Sequence, residues 1–169
     1  MDRTSYAVAL GSNRRHGRHG APARVVAAAV RALGEAGLAV TARSSILTTT
    51  AFGGAGRSFA NAAVILDTAL APGELLVLLK DVEARFGRRP GRRWGARVLD
   101  LDILLWSGGI HAAEAIVVPH PALSKREFVL GPLVEIAPGW RHPLSHRTVR
   151  QLRARLRRAK PVDHSGRRP

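Results

Sequence analysis

Residues 98–106, VLDLDILLW, read as a β-strand whose two faces differ in chemistry. Leu99, Leu101, Ile103 and Leu105 recur at period two on one face, while Asp100 and Asp102 share the other. Aspartate is disfavoured in strands, so two of them between leucines constrain the fold. One face has to meet a core, and the other has to open to solvent or to a ligand. Residues i and i+2 on a strand stand about 6.5–7 Å apart at Cα. Two carboxylates at that spacing suit a hard cation shared with waters and phosphate oxygens, as magnesium prefers, or else form a plain solvated face.

Immediately upstream lies a Gly- and Arg-rich stretch, 87–97. Arg88, Arg89, Arg92, Arg93 and Arg97 surround Gly87, Gly91 and Gly95, with Trp94 among them. The planar guanidinium fork matches phosphate oxygens. Alone, such a stretch is more often a solvated surface or a nucleic-acid patch. Beside a carboxylate pair it suggests metal-assisted phosphoryl chemistry.

The rest of the chain reads as alternating elements. A strand at 5–10 runs into the turn Gly11-Ser12-Asn13, then a basic Gly/His-rich loop at 14–22. A helix follows at 23–36, with Val26, Val30 and Leu33 inward and Gly37 closing it. A strand at 38–48, a loop at 49–58 and a strand at 59–68 come next, with Phe59 and Asn61 sharing a face. Pro72 and Glu74 open a second helix, 72–86. Beyond the Asp strand lie a Gly108-Gly109 turn and an extended piece at 116–118. Ser124 to Glu127 has capping-box spacing before the apolar run 128–137, and Thr148 can cap a last helix through Ala159. Strand, helix, two strands, helix, strand describes a ferredoxin-like α+β layer with helices added at the end. At 169 residues the expectation is a single domain over 1–160, followed by a disordered basic tail at 161–169.

The formal charge of +15 favours anionic partners: nucleotides, nucleic acid or a membrane surface. Between 150 and 169 there are eight basic residues and one acidic one, so nearly half of the excess sits at the C-terminal end. The absence of cysteine excludes disulfides and thiolate chemistry. No apolar run approaches the ~18 residues of a membrane span and the first residues form no signal peptide, so the chain reads as soluble and cytoplasmic. It carries neither a P-loop nor a GxSxG elbow. His142 and His146 are spaced as a helical metal pair, but Pro143 lies between them and no third ligand is evident.

The segments LGSN (10–13), FANAAV (59–64), RRWGARVLDLDILLW (92–106) and VPHPALSKREFVLGPLVEIAP (118–138) together resemble the 6-hydroxymethyl-7,8-dihydropterin pyrophosphokinases of folate biosynthesis. The resemblance implies an antiparallel ferredoxin-like sheet flanked by helices. It implies a monomer that transfers pyrophosphate from MgATP to the hydroxymethyl group of the dihydropterin and releases AMP, with ATP and the pterin as partners and no membrane. By this resemblance Asp100 and Asp102 correspond to the ligands of two magnesium ions. Arg88, Arg97, His120 and Arg126 correspond to phosphate-binding residues, Trp94 to the loop closing over the site, and Glu83 and Ile103 to positions near the nucleotide. Phe59 and Phe128 correspond to the two faces of a pterin sandwich, with Asn61 and Thr49 at its hydrogen-bonding edge. Three departures stand out. The family's Thr-Pro-Pro-Leu-Gly is Thr49-Thr50-Ala51-Phe52-Gly53 here, the second loop arginine falls on Arg89 or Arg92, and His120 is followed by Pro121, which offers no hydroxyl.

Without the resemblance, Phe59 and Phe128 would more often be core aromatics. The rival function is an RNA- or DNA-binding module built on the basic loop and the basic last helix. Asp100 and Asp102 beside the arginines argue against it, since they would repel a phosphate backbone without an intervening metal.

Overall fold

The computed structural model describes residues 3–50, 58–87 and 98–159. Its main sheet is built from β1 (Thr4–Ser12), β2 (Ala39–Arg43), β3 (Leu47–Thr50), β4 (Ser58–Thr68) and β5 (Asp100–Trp106). The order is β2-β4-β1-β5, with β3 also on β4, and every pairing is antiparallel. The helices α1 (Pro22–Glu35), α2 (Pro72–Arg85), α3 (Glu127–Ile136) and α4 (Val149–Ala159) complete the layers. This is the ferredoxin-like α+β arrangement expected, with α1 and α2 on one face and α3 and α4 on the other. Arg88, Arg89, Arg92, Arg93, Trp94 and Arg97, most of the loop after Thr49, and the tail at 161–169 lie outside the described residues.

Alternation along β1 decides which helix pair meets which face. Tyr6, Val8 and Leu10 point into the larger core beneath α1 and α2. Ala7 and Ala9 point the other way, and with Ala63 they present a surface of small side chains to α3. Small residues let the helix approach closely.

Three expectations need correction. The strand foreseen at 38–48 is two strands, because Ser44 interrupts the ladder. Its N–H donates to the Ala63 carbonyl, and its Oγ accepts the Ala63 N–H at 2.9 Å. Next to it, Ser45 donates from both N–H and Oγ to the Glu135 carboxylate. Serine hydroxyls compete with strand pairing in this way. Second, Leu105 does not share a face with Leu101 and Ile103. Val8 pairs with Ile103 and Ala7 with Leu105, so Leu104 is an inserted bulge residue and the pattern changes face there. Leu104 and Leu105 both pack under α3 and α4. Third, Ser124 does not cap α3. It lies within a 3-10 turn, Leu123–Lys125, and α3 has no side-chain cap bond. Thr148 does cap α4, since its N–H donates to Gln151 Oε1 while its Oγ1 accepts the Gln151 N–H. A short hairpin, β6 (His111–Ala113) with β7 (Ile116–Val118), follows β5 and was foreseen only in its second half.

Tyr6, the chain's one tyrosine, is fully buried. It stacks on Trp106 at 6.1 Å, and its hydroxyl donates to the Leu70 carbonyl at 2.7 Å. Burial, with a smaller contribution from Glu74, pushes its pKa up to about 12. The folded chain therefore holds this proton more tightly than the unfolded chain, whose phenol titrates near 10. The associated stability is complete below that value and is lost as pH rises toward about 12. An ultraviolet phenolate titration should show no ionisation near pH 10 while the chain stays folded. A folded-state midpoint near 10 would contradict the buried hydrogen bond.

Candidate active site

Register lines up the central residues. Gly11 pairs with Asp100 on one side and with Asn61 on the other, and Asn61 pairs in turn with Leu47. Asn61, Gly11 and Asp100 thus form one row across three strands, on the α3/α4 face. Asp102 lies two residues on, opposite Ala9. With strands about 4.7–4.9 Å apart, Asn61 and Asp100 are separated by about 9.5 Å at the main chain. Nothing rises between them, because the intervening residue is glycine. A Cβ at Gly11 would stand 3.4 Å from Asn61 Oδ1. Gly11 and Ser12, read from sequence as part of a turn, are the last residues of β1, so the glycine lies inside the strand, where it offers no side chain.

The first turn of α3 borders this row. Gly11, Asn61, Asp100, Asp102, Arg126 and Phe128 line one cleft. The Arg126 guanidinium lies 5.9 Å from the centre of the Phe128 ring, within cation–π range. Phe128 is 45% exposed and Phe59 37% exposed. A core aromatic would not be left so open, so the core reading is disfavoured for both. Thr49 pairs with Phe59 across β3 and β4, one step along the face from Asn61, and is itself exposed.

Two buried features set the carboxylates. β5 is an edge strand, and Glu83 from α2 covers that edge. The Glu83 carboxylate is fully buried and accepts the Leu101 N–H at 2.7 Å, between Asp100 and Asp102. It also receives Lys80 Nζ at 3.1 Å. Ile103 turns its side chain into the opposite core. The second feature is the bulge. The Leu104 carbonyl accepts the His120 N–H at 2.9 Å, which anchors the 119–121 segment beside β5. His120 Nδ1 accepts the Ala122 N–H, so Nε2 carries the proton of the neutral ring. Burial lowers the His120 pKa. Asp102 and Asp100 oppose this, while Arg126 reinforces it. The ring has both aspartates and Arg126 as electrostatic neighbours.

The donor set fits magnesium. Asp100 and Asp102 are half-buried carboxylates on one face, and their oxygens are hard donors. Among the described residues no group of three His, Cys, Asp or Glu forms a closed protein cage. Magnesium commonly uses one or two carboxylates and completes its shell with waters and phosphates. The His142/His146 pair is a turn instead. His142 Nδ1 accepts the Leu144 and Ser145 N–H groups, and His146 adopts φ 56°.

Comparison with known proteins bears on the family and the fold. A family model described as 7,8-dihydro-6-hydroxymethylpterin-pyrophosphokinase (HPPK) matches residues 7–138. A 2-amino-4-hydroxy-6-hydroxymethyldihydropteridine pyrophosphokinase of Methylorubrum extorquens is 41% identical over 149 residues, covering 87% of this chain and 90% of that relative. The pyrophosphokinase of the same name from Synechocystis sp. is 40% identical, covering 69% of this chain and 60% of that relative. A crystal structure of an HPPK-DHPS in complex with substrates superposes with a TM-score of 0.67 at 12% identity, over 91% of this chain and 43% of the other. Plasmodium falciparum HPPK-DHPS gives the same TM-score at 13% identity, with 91% of this chain and 44% of the other covered. These structures share the fold with one part of a longer polypeptide. With 132 consecutive residues (7 to 138) matched and a relative above 40% identity over most of both chains, the protein belongs to the 7,8-dihydro-6-hydroxymethylpterin-pyrophosphokinase family.

Proposed function

We propose that this chain transfers pyrophosphate from MgATP to the hydroxymethyl group of 6-hydroxymethyl-7,8-dihydropterin, as a step of folate biosynthesis in the cytoplasm. The hydroxymethyl oxygen attacks the β-phosphorus of ATP, and the bond between that phosphorus and the α–β bridging oxygen breaks. AMP leaves with that oxygen, and the hydroxyl proton passes to solvent. The observation that most supports this reading is the row Asn61–Gly11–Asp100, with Phe128 and Arg126 at its border. An amide edge and a carboxylate separated by a bare glycine leave the span of a bicyclic ring with its one-carbon arm.

Asn61 is the donor and acceptor for the pterin's amide and amino edge, with Thr49 beside it. Phe128 and Phe59 offer ring faces for stacking. Asp100 and Asp102 hold magnesium, two ions with ATP bound. When bound, magnesium neutralises charge that develops on the transferring phosphates. Arg126 and the Nε2–H of His120 donate to phosphate oxygens, and Arg88 and Arg97 meet the transferring group. Trp94 serves as a further ATP-binding residue. Ile103 serves the nucleotide through its main chain, and Glu83 through the strand it braces. Residues 1–160 act as one domain and the enzyme as a monomer. No described helix is long and apolar enough to cross a membrane.

The test is release of AMP from ATP, magnesium and the hydroxymethyl dihydropterin, run beside a salt titration with random-sequence RNA. The expected result is AMP in a one-to-one ratio with pyrophosphorylated pterin. ADP in place of AMP, or RNA affinity without turnover, would overturn the reading.

A further inference from the structure

Glu127 is the first residue of α3 and sits between Arg126 and Phe128, both of which line the cleft. Its side chain turns away from them, toward α4. Glu127 Oε1 accepts Arg153 Nε at 2.9 Å, Arg157 Nε at 3.0 Å and Arg157 Nη2 at 2.8 Å. The Arg153 guanidinium also lies over Gly131, one turn along α3, where a Cβ would stand 3.5 Å from Nη2. Burial by itself would raise the Glu127 pKa. The hydrogen bonds and charges of Arg153 and Arg157 outweigh it, and the carboxyl stays below its ordinary value. Oε2 is buried with no hydrogen-bond partner among the described residues, so the whole burden of compensation falls on Oε1.

We propose that Arg153 and Arg157 of α4 are positioning residues for the substrate site, acting through Glu127 on Arg126 and Phe128. This rests on the function proposed above. Two physical consequences follow from the geometry. Fixing Glu127 fixes the rotation of the first turn of α3, and so the directions in which its two neighbours project. Arg126 is in extended conformation immediately before that turn, with φ −118° and ψ 103°. The arginines also engage a carboxylate that would otherwise compete with substrate phosphate for Arg126. The basic last helix, read from sequence as a possible nucleic-acid surface, is then a buttress, although it lies beyond the matched stretch 7–138.

The test uses the full chain in four forms besides the unaltered one. These are Arg153→Met with Arg157→Met, the same pair changed to Lys, Glu127→Gln, and a control of Arg155→Met with Arg158→Met. The control removes the same charge from exposed positions of the same helix. AMP release reads kcat and both KM values, and fluorescence titration reads affinity for 6-hydroxymethylpterin. The Met pair is expected to raise KM for pterin and for ATP about five- to tenfold, with kcat at saturation within about twofold. The Lys pair should recover most of the loss, and the control should stay within about twofold throughout. If the Met pair does not fold, Glu127→Gln decides, with the same rise in KM expected. Unchanged KM values in a folded Met pair or in Glu127→Gln would overturn the proposal. An equal loss in the control would also overturn it. Absence of AMP from the unaltered chain would strike the proposed function instead, whereas an active chain indifferent to the Met pair strikes only the positioning role.

Discussion

Replacing Asp100 or Asp102 by alanine is expected to lower kcat at saturating magnesium by at least about a hundredfold, with the fold intact. Charge stabilisation by a bound cation is worth several kcal/mol, and each ~1.4 kcal/mol is tenfold in rate. Both carboxylates project from the face where α3 borders an open cleft, so neither supports the main core beneath α1 and α2. The strand itself is held independently, by its ladder with β1 and by the buried Glu83 carboxylate on the Leu101 N–H. Turnover should therefore collapse while the melting temperature moves little. Circular dichroism and thermal melts beside the AMP assay check this. A loss of only a few-fold would sink the assignment of the pair as metal ligands.

The second large effect concerns Phe128. Changing it to alanine should weaken pterin affinity by roughly 1–3 kcal/mol through lost stacking and burial. Nucleotide affinity should change little. Phe128 is 45% exposed in the ligand-free chain, so its removal leaves no large cavity and should cost little stability. Its neighbours Val129 and Leu130, which are buried, carry the packing of that turn against the sheet. Pterin and ATP titrations on one variant separate the two effects. Equal losses for both ligands would mean that Phe128 supports the whole site rather than stacking on one substrate.

Gly11 shows how far the sequence could be read. Its motif was visible within LGSN, yet its place between Asn61 and Asp100 depends on strands that lie about 50 and 90 residues away along the chain. Glu83 likewise stood out only by resemblance, as a position near the nucleotide. Its bond to the Leu101 N–H appears only once α2 packs along the edge of β5.

Local periodicity in the sequence determined the helices at 22–35 and 72–85, the strands at β1, β4 and β5, and the pairing of Asp100 with Asp102 on one face. Each of these follows from spacings of two or three to four residues, which the chain carries without reference to its partners. Tertiary structure decided the rest. In Ile103-Leu104-Leu105 three apolar residues run together, so nothing in the pattern marks where a bulge changes the face; the mismatch in register with β1 puts it at Leu104. Glu127 reads from sequence as a capping residue for α3, and becomes an anchor only because α4 brings Arg153 and Arg157 to it. A hydrogen-bonding side chain takes the partner that folding places nearest, and contacts made 26 and 30 positions along the chain leave no periodic trace in the sequence.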